Sequence, residues 1–230
     1  NGSVNGLRTA GVGVAGAPRS GILFSGGITT VLGDVTGQAR GATGVFYGVH
    51  FSSGTSSILG NVSGSSNGAV GVYLQGGSHY LTGARLTGSS HNSSGVLFDG
   101  AVVAALTTTA IRGYTAGNGT SIAGVRFGLT SGVVTLNNAT VVGSQANSSN
   151  ASGVLFSSGK VIANNTTISG SGAQGAAVMF AGGTPIITDS TVSGSSNAGI
   201  GVLISGGSIT ATNVAVVGNT SGSSLSAYGV

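Results

Sequence analysis

From Gly21 onward the chain repeats a four-residue phrase of alternating small and apolar positions. It reads GILF at Gly21, GVHF at Gly48, GVYL at Gly71, GVLF at Gly95, GVRF at Gly124, GVLF at Gly153, AVMF at Ala177 and GVLI at Gly201. A second anchor, a β-branched residue or Leu two positions before a Gly, follows at Gly37, Gly64, Gly88, Gly113, Gly143, Gly170, Gly194 and Gly218. The step from first anchor to second is 16 to 19 residues, and the link onward to the next repeat is 7, 10 or 11. A segment of nearly fixed length joined by a variable one predicts a constant cross-section that carries one tolerant loop.

Side chains alternate along a strand, so the second and fourth positions of the phrase are expected to face inward. The fourth-position column (Phe24, Phe51, Leu74, Phe98, Phe127, Phe156, Phe180, Ile204) then forms a core stack holding six of the chain's seven Phe residues. The second-anchor column, Val35, Val62, Leu86, Ile111, Val141, Ile168, Val192 and Val216, is expected to line another wall. Three short strand-like runs in a period of 23 to 29 residues predict an all-β fold, a right-handed parallel β-helix of about nine coils. Leucine-rich repeats share the period but need a Leu-x-x-Leu-x-Leu pattern that is missing here.

Residues 2–13, GSVNGLRTAGVG, align with 207–218, GSITATNVAVVG, so 1–20 read as a partial first coil. Residues 229–230 restart the phrase, and neither end carries a polar cap. The expectation is one β-helical segment, 1–230, cut from a longer filament and about 43 Å long at 4.8 Å per coil.

Composition narrows the alternatives. Gly accounts for 46 of 230 residues, too many for a helical repeat protein. Two prolines without a G-X-Y period exclude collagen, and regularly spaced apolar residues exclude a disordered Gly/Ser tract. The absence of Cys removes disulfides, thiolate metal sites and Cys nucleophiles. Net charge is +4, from seven scattered basic residues, and nothing resembles the basic stripe of a nucleic-acid binder. The longest apolar run, AVVAAL at 101–106, is far short of the roughly 20 residues of a membrane span, so no membrane insertion is expected.

Residues suited to catalysis are few. A polysaccharide-degrading enzyme on such a scaffold would need two carboxylates about 5 to 9.5 Å apart. The only acids, Asp34, Asp99 and Asp189, fall three coils from one another, roughly 14 Å along the axis. No catalytic residue, metal site or cofactor is expected, and His50, His79 and His91 read as solvent-exposed polar residues. GVGVAG at 11–16 matches a dinucleotide fingerprint only because Gly is everywhere.

Two features remain. The outward third position of the phrase, Leu23, His50, Tyr73, Leu97, Arg126, Leu155, Met179 and Leu203, forms a candidate exposed binding stripe. The alternatives are a loop folded back over it or a slipped register. In addition, ten of fifteen Asn residues begin an Asn-x-Ser/Thr sequon. Asn61, Asn92, Asn118, Asn147, Asn150, Asn164 and Asn219 are the candidate glycosylation sites. Asn165 shares a column with Asn138, Asp189 and Asn213 and reads instead as a turn residue.

The phrases NNATVVGSQANSSNASGVLFSSG, NNTTISGSGAQGAAVMFAGG and DSTVSGSSNAGIGVLISGG resemble the repeat regions of two-partner-secreted exoproteins of Gram-negative bacteria. These form the filamentous-haemagglutinin and high-molecular-weight adhesin family, which includes EtpA-like adhesins. Pertactin-like autotransporter passengers have a similar rhythm. The resemblance implies a secreted or cell-surface β-helical filament, exported by an outer-membrane transporter and glycosylated on Asn. It also implies attachment to host cell-surface glycans or proteins, or to bacterial surface proteins such as flagellin. A passive stalk that spaces a binding tip from the cell is the alternative function.

Overall fold

The computed structural model describes residues 4–9, 19–40, 45–117, 121–146 and 150–221. All strand pairs among them are parallel, and the strands stack as a β-solenoid with no helix. The solenoid has about eight turns, not the nine expected. Nine strands stack on one wall and eight on the wall that opens the repeat, because Val4–Thr9 stacks only on the former.

Each coil has three walls. The first carries the Gly-Val-x-Phe phrase, as in Phe46–Phe51. The second follows a glycine corner, as in Thr55–Ile58. Where the corner is smooth, the two fuse into one long bent strand, as in Ser152–Asn164. The corner needs a left-handed backbone, met for example by Gly77 (φ 92°) and Gly159 (φ 80°), a conformation that costs Gly no Cβ clash. The third wall carries the second anchor, as in Thr167–Gly172.

The expected inward columns are in register from coil to coil. Phe98, Phe127, Phe156 and Phe180 pair in sequence, with ring centroids 5.1, 4.9 and 4.7 Å apart and planes within 16° of parallel. Phe24 and Phe51 stack likewise at 4.7 Å, and Leu74 separates the two runs. Ile204, in the last described coil, has no described strand above it and is 60% exposed. Val35 through Val192 of the second-anchor column are buried and belong to the same continuous core. The seventh phenylalanine, Phe46, is also buried, at the start of a first-wall strand.

The third wall closes against the first at a narrow edge, which explains much of the Gly content. A Cβ placed on Gly143 would lie 2.0 Å from the carbonyl oxygen of Gly153, and six equivalent pairs approach equally closely. Just past this edge a buried hydroxyl pins the link. Ser66 Oγ donates to Phe46 O at 2.6 Å and accepts from Ala69 N at 3.0 Å. Ser196 repeats the pattern with Gly175 O and Gly199 N, and Ser90 and Thr115 hold the same slot.

Candidate binding surface

The third-position column is in register as expected, from Leu23 through His50, Tyr73, Leu97, Arg126, Leu155 and Met179 to Leu203. It is not an exposed stripe. His50, Tyr73, Leu97 and Leu155 are buried, Arg126, Met179 and Leu203 are partly buried, and only Leu23 is open, at 53%. The cause is the link, which leaves the third wall and folds back over the outer face of the first. Val70 packs with Tyr73 and Leu97, and Tyr47 closes the same small cluster. The hydroxyl pins hold these links down. Met179 and Leu203 lie in a shallow cleft beside Gln174, Ala176 and Ile200.

Within this covered face the structure assembles a polar aromatic cluster that the repeat pattern does not single out. Tyr47 reaches from the preceding strand residues to His50 (centroids 4.6 Å) and Tyr73 (4.9 Å). The His50 ring stacks on Tyr73 at 4.9 Å, with an interplanar angle of 14°. His50 Nε2 is 3.0 Å from Gln75 Oε1, and Tyr73 donates its hydroxyl to Asp99 Oδ2 at 3.4 Å. Arg126 is tied down by donating to Ser121 O at 2.9 Å and Ser157 Oγ at 3.3 Å.

The electrostatics follow from burial. Desolvation first, then the Asp99 carboxylate, pushes the Tyr73 phenol far above its ordinary range and raises Tyr47 in the same direction. Burial lowers His50 against the opposing pull of its Gln75 bond. At neutral pH the cluster is therefore two protonated phenols, a neutral imidazole, an amide and one carboxylate. Only its rim, the exposed Gln75 amide and the partly buried Tyr47, is open to a hydroxylated ligand, while His50 and Tyr73 stack beneath it. The cluster supplies neither a second carboxylate nor a phenolate nucleophile.

The remaining acids lie elsewhere. Asp34 Oδ1 accepts from the backbone and side-chain amides of Asn61, at 2.8 and 3.1 Å, on an exposed edge. Asp189 occupies the turn between second and third walls. Among the described residues no three His, Cys, Asp or Glu side chains gather as metal ligands, and no helix is long and apolar enough to cross a membrane.

The histidines differ from the expectation of solvent exposure. His91 is exposed, but His50 is buried under its link and His79 lies inside the core. The Gly76-Gly77 corner restarts the alternation, so position 79 faces inward, where the other coils carry Ser56, Ala104, Val134 and Val161.

The turn column is as expected for Asn165. Thr108, Asn138, Asn165, Asp189 and Asn213 all adopt left-handed backbone, φ 47° to 54°. Asn165 Nδ2 donates to Asn138 Oδ1 at 2.7 Å, and Asn213 Nδ2 to Asp189 Oδ1 at 2.6 Å. Because Asn adopts this conformation at lower cost than Ala and also bonds Asn138, Asn165→Ala is expected to cost about 1–2 kcal/mol in denaturant unfolding. Asn165→Gly, which loses the side-chain bond but not the backbone fit, should cost clearly less.

The sequons divide by the fate of their hydroxyl. Asn92, Asn150 and Asn164 are exposed, but Ser94, Ser152 and Thr166, two positions on, are buried. Thr166 Oγ1 donates to Asn164 O within the turn or to Leu136 O of the preceding coil, and Asn164 Nδ2 donates to Asn137 Oδ1. Asn61 has an exposed Ser63 but holds Asp34 with its amide. Asn219 and Ser221 are both exposed, and the Asn219 side chain makes no hydrogen bond among the described residues. Asn118 and Asn147 lie outside the described residues. Comparison of the chain with protein-family models, with curated proteins and with solved structures finds no match.

Proposed function

We propose that this chain is a repeat module of a secreted bacterial adhesin, a rod that carries contact surfaces along its length at the surface of a Gram-negative cell. The observation that carries the reading is the continuous stack: the inward columns pair from coil to coil around one core, with register shifts confined to the corner between first and second walls and most of the length variation in the links. Such a body spans distance and presents side chains at fixed spacing, and its scattered acids suit display better than catalysis. The accessible rim of the aromatic cluster, Gln75 with the partly buried Tyr47, is the contact surface on this reading, backed by the buried His50 and Tyr73, with a host cell-surface glycan or protein as partner. Export through an outer-membrane transporter belongs to the same proposal.

The passive stalk is the second reading, and burial of Leu97 and Leu155 favours it, since a covered column offers no lateral apolar strip. Saturable attachment of the purified chain to host epithelial cells, lost in Tyr47→Ala while the circular dichroism is unchanged, supports the adhesive reading. A folded chain that attaches to nothing leaves the stalk.

Sugar on Asn is the remaining part of the proposal. Transfer onto the folded chain is expected to favour Asn219, whereas transfer before folding would also reach Asn92, Asn150 and Asn164. Peptide mapping of the natively secreted protein for hexose-bearing Asn distinguishes these orders.

A further inference from the structure

His79 is an imidazole fully buried in the apolar core, 0% exposed, its ring 5.1 Å from that of Phe51. Its Nε2 lies 2.7 Å from Gly76 O. A carbonyl oxygen only accepts, so Nε2 carries the proton and Nδ1 is the bare nitrogen. Nδ1 is buried and has no partner. The groups around it give a second proton no compensation. Its register partners are Ser56 on Thr55–Ile58 and Ala104 on Val96–Thr107. Of the ionisable groups on neighbouring elements, Asp99 is turned toward the Tyr73 hydroxyl at the outer face and Arg85 is exposed. His50 lies on the opposite side of the first wall, against Tyr47 and Tyr73. Tyr80 points outward and is half exposed.

The same place is the break in the aromatic stack, where Leu74 stands between Phe51 and Phe98. Burying an unpaired positive charge costs more than local separation of two coils, because opening restores hydration.

We propose that residues 46–107 contain an acid-sensitive seam, which opens when Nδ1 of His79 takes up a proton from solvent. Burial lowers the folded-state proton affinity of His79 below that of an ordinary histidine. The opened state therefore binds the proton first. Stability is complete above about pH 6.5 and falls as the pH drops below it, by about tenfold in the opening equilibrium per pH unit for a one-proton step. The seam includes the Tyr47, His50 and Tyr73 cluster, so acid also releases the face placed at the centre of the adhesive reading. The seam itself does not depend on that reading.

The test is hydrogen exchange by mass spectrometry on the whole chain, from about pH 7.5 to about pH 5, corrected for intrinsic exchange. Peptides covering 46–58, 72–82 and 96–107 should keep their protection down to about pH 6.5 and lose it about tenfold per pH unit below that, while those covering 152–172 keep theirs throughout. His79→Val, which installs the residue of Val134 and Val161, should remove the acid response, and His50→Gln should leave most of it. His79→Ser, which installs the residue of Ser56, serves in the same way if the Val variant does not fold. Equal acid responses in the wild type and a His79 variant, or a response spread evenly over all coils, would overturn the proposal.

Discussion

Phe127→Ala is expected to be the most destabilising truncation in the chain, at about 3–5 kcal/mol. Phe127 is fully buried between two parallel rings, Phe98 on one side and Phe156 on the other. Removing the ring leaves a void with aromatic faces above and below, and the coil spacing is fixed by three ladders of backbone hydrogen bonds, so the walls cannot collapse into it. Denaturant unfolding should show a lowered midpoint. Phe24→Ala is the internal comparison: Phe24 is only half-buried and stacks on one ring, so it should lose much less. A Phe127 loss below that of Phe24 would mean that the stack is not what holds the coils.

The second large effect is steric. In Gly143→Ala the new methyl would meet Gly153 O at 2.0 Å and the carbonyl carbon at 2.5 Å, with Val154 Cγ2 at 2.8 Å. All of these obstacles except the valine methyl are backbone, held by their own ladder. The third wall must then move away from the first, at an expected cost of at least about 3 kcal/mol. Gly172→Ala is the control, because its nearest obstacle, Gly175 O, lies at 3.2 Å and Ser90 and Ser196 hold the same slot in other coils. The control should stay within about 1 kcal/mol of wild type by the same unfolding measurement. Similar losses in the two variants would contradict the close approach of the walls.

These two residues also mark what is legible in the sequence. The Phe column and the second-anchor column follow from alternation and period alone, and each pairs residue for residue as expected. Asn165 as a turn residue is legible for the same reason, through its column with Asn138, Asp189 and Asn213. Burial of the third-position column is legible only as one alternative, a loop folded back over it, because alternation reports which face a side chain leaves from and not what later crosses that face. Leu97 and Leu155 point outward from their strands and are nonetheless buried. The signal is present in the hydroxyls two residues past the second-anchor Gly, at Ser66, Ser90, Thr115 and Ser196, which bind the links down.

His79 departs from expectation for a different reason. Its parity cannot be counted across the Gly76-Gly77 corner, where the backbone turns left-handed and the count begins again. The cluster of Tyr47 with His50 and Tyr73 joins residues of two coils and is invisible within any single repeat. The coil count differs by one because Val4–Thr9, part of the partial first coil that enters the expected nine, stacks on one wall alone.

Among the described residues the links emerge at one edge. Most continue the ladder for one residue beyond the third wall before departing, as Asn67 N to Ala39 O, His91 N to Ser66 O and Ala146 N to Thr115 O show, and Ala173 N donates instead to Gln145 Oε1. Lengthening a link therefore changes neither the pitch nor the azimuth of the coils that follow. Loops inserted at this edge would form a single collinear fringe, at heights that are multiples of about 4.8 Å. Weak contacts on separate loops could then engage one extended target together, and avidity would be set by coil number, without any one loop needing to bind tightly.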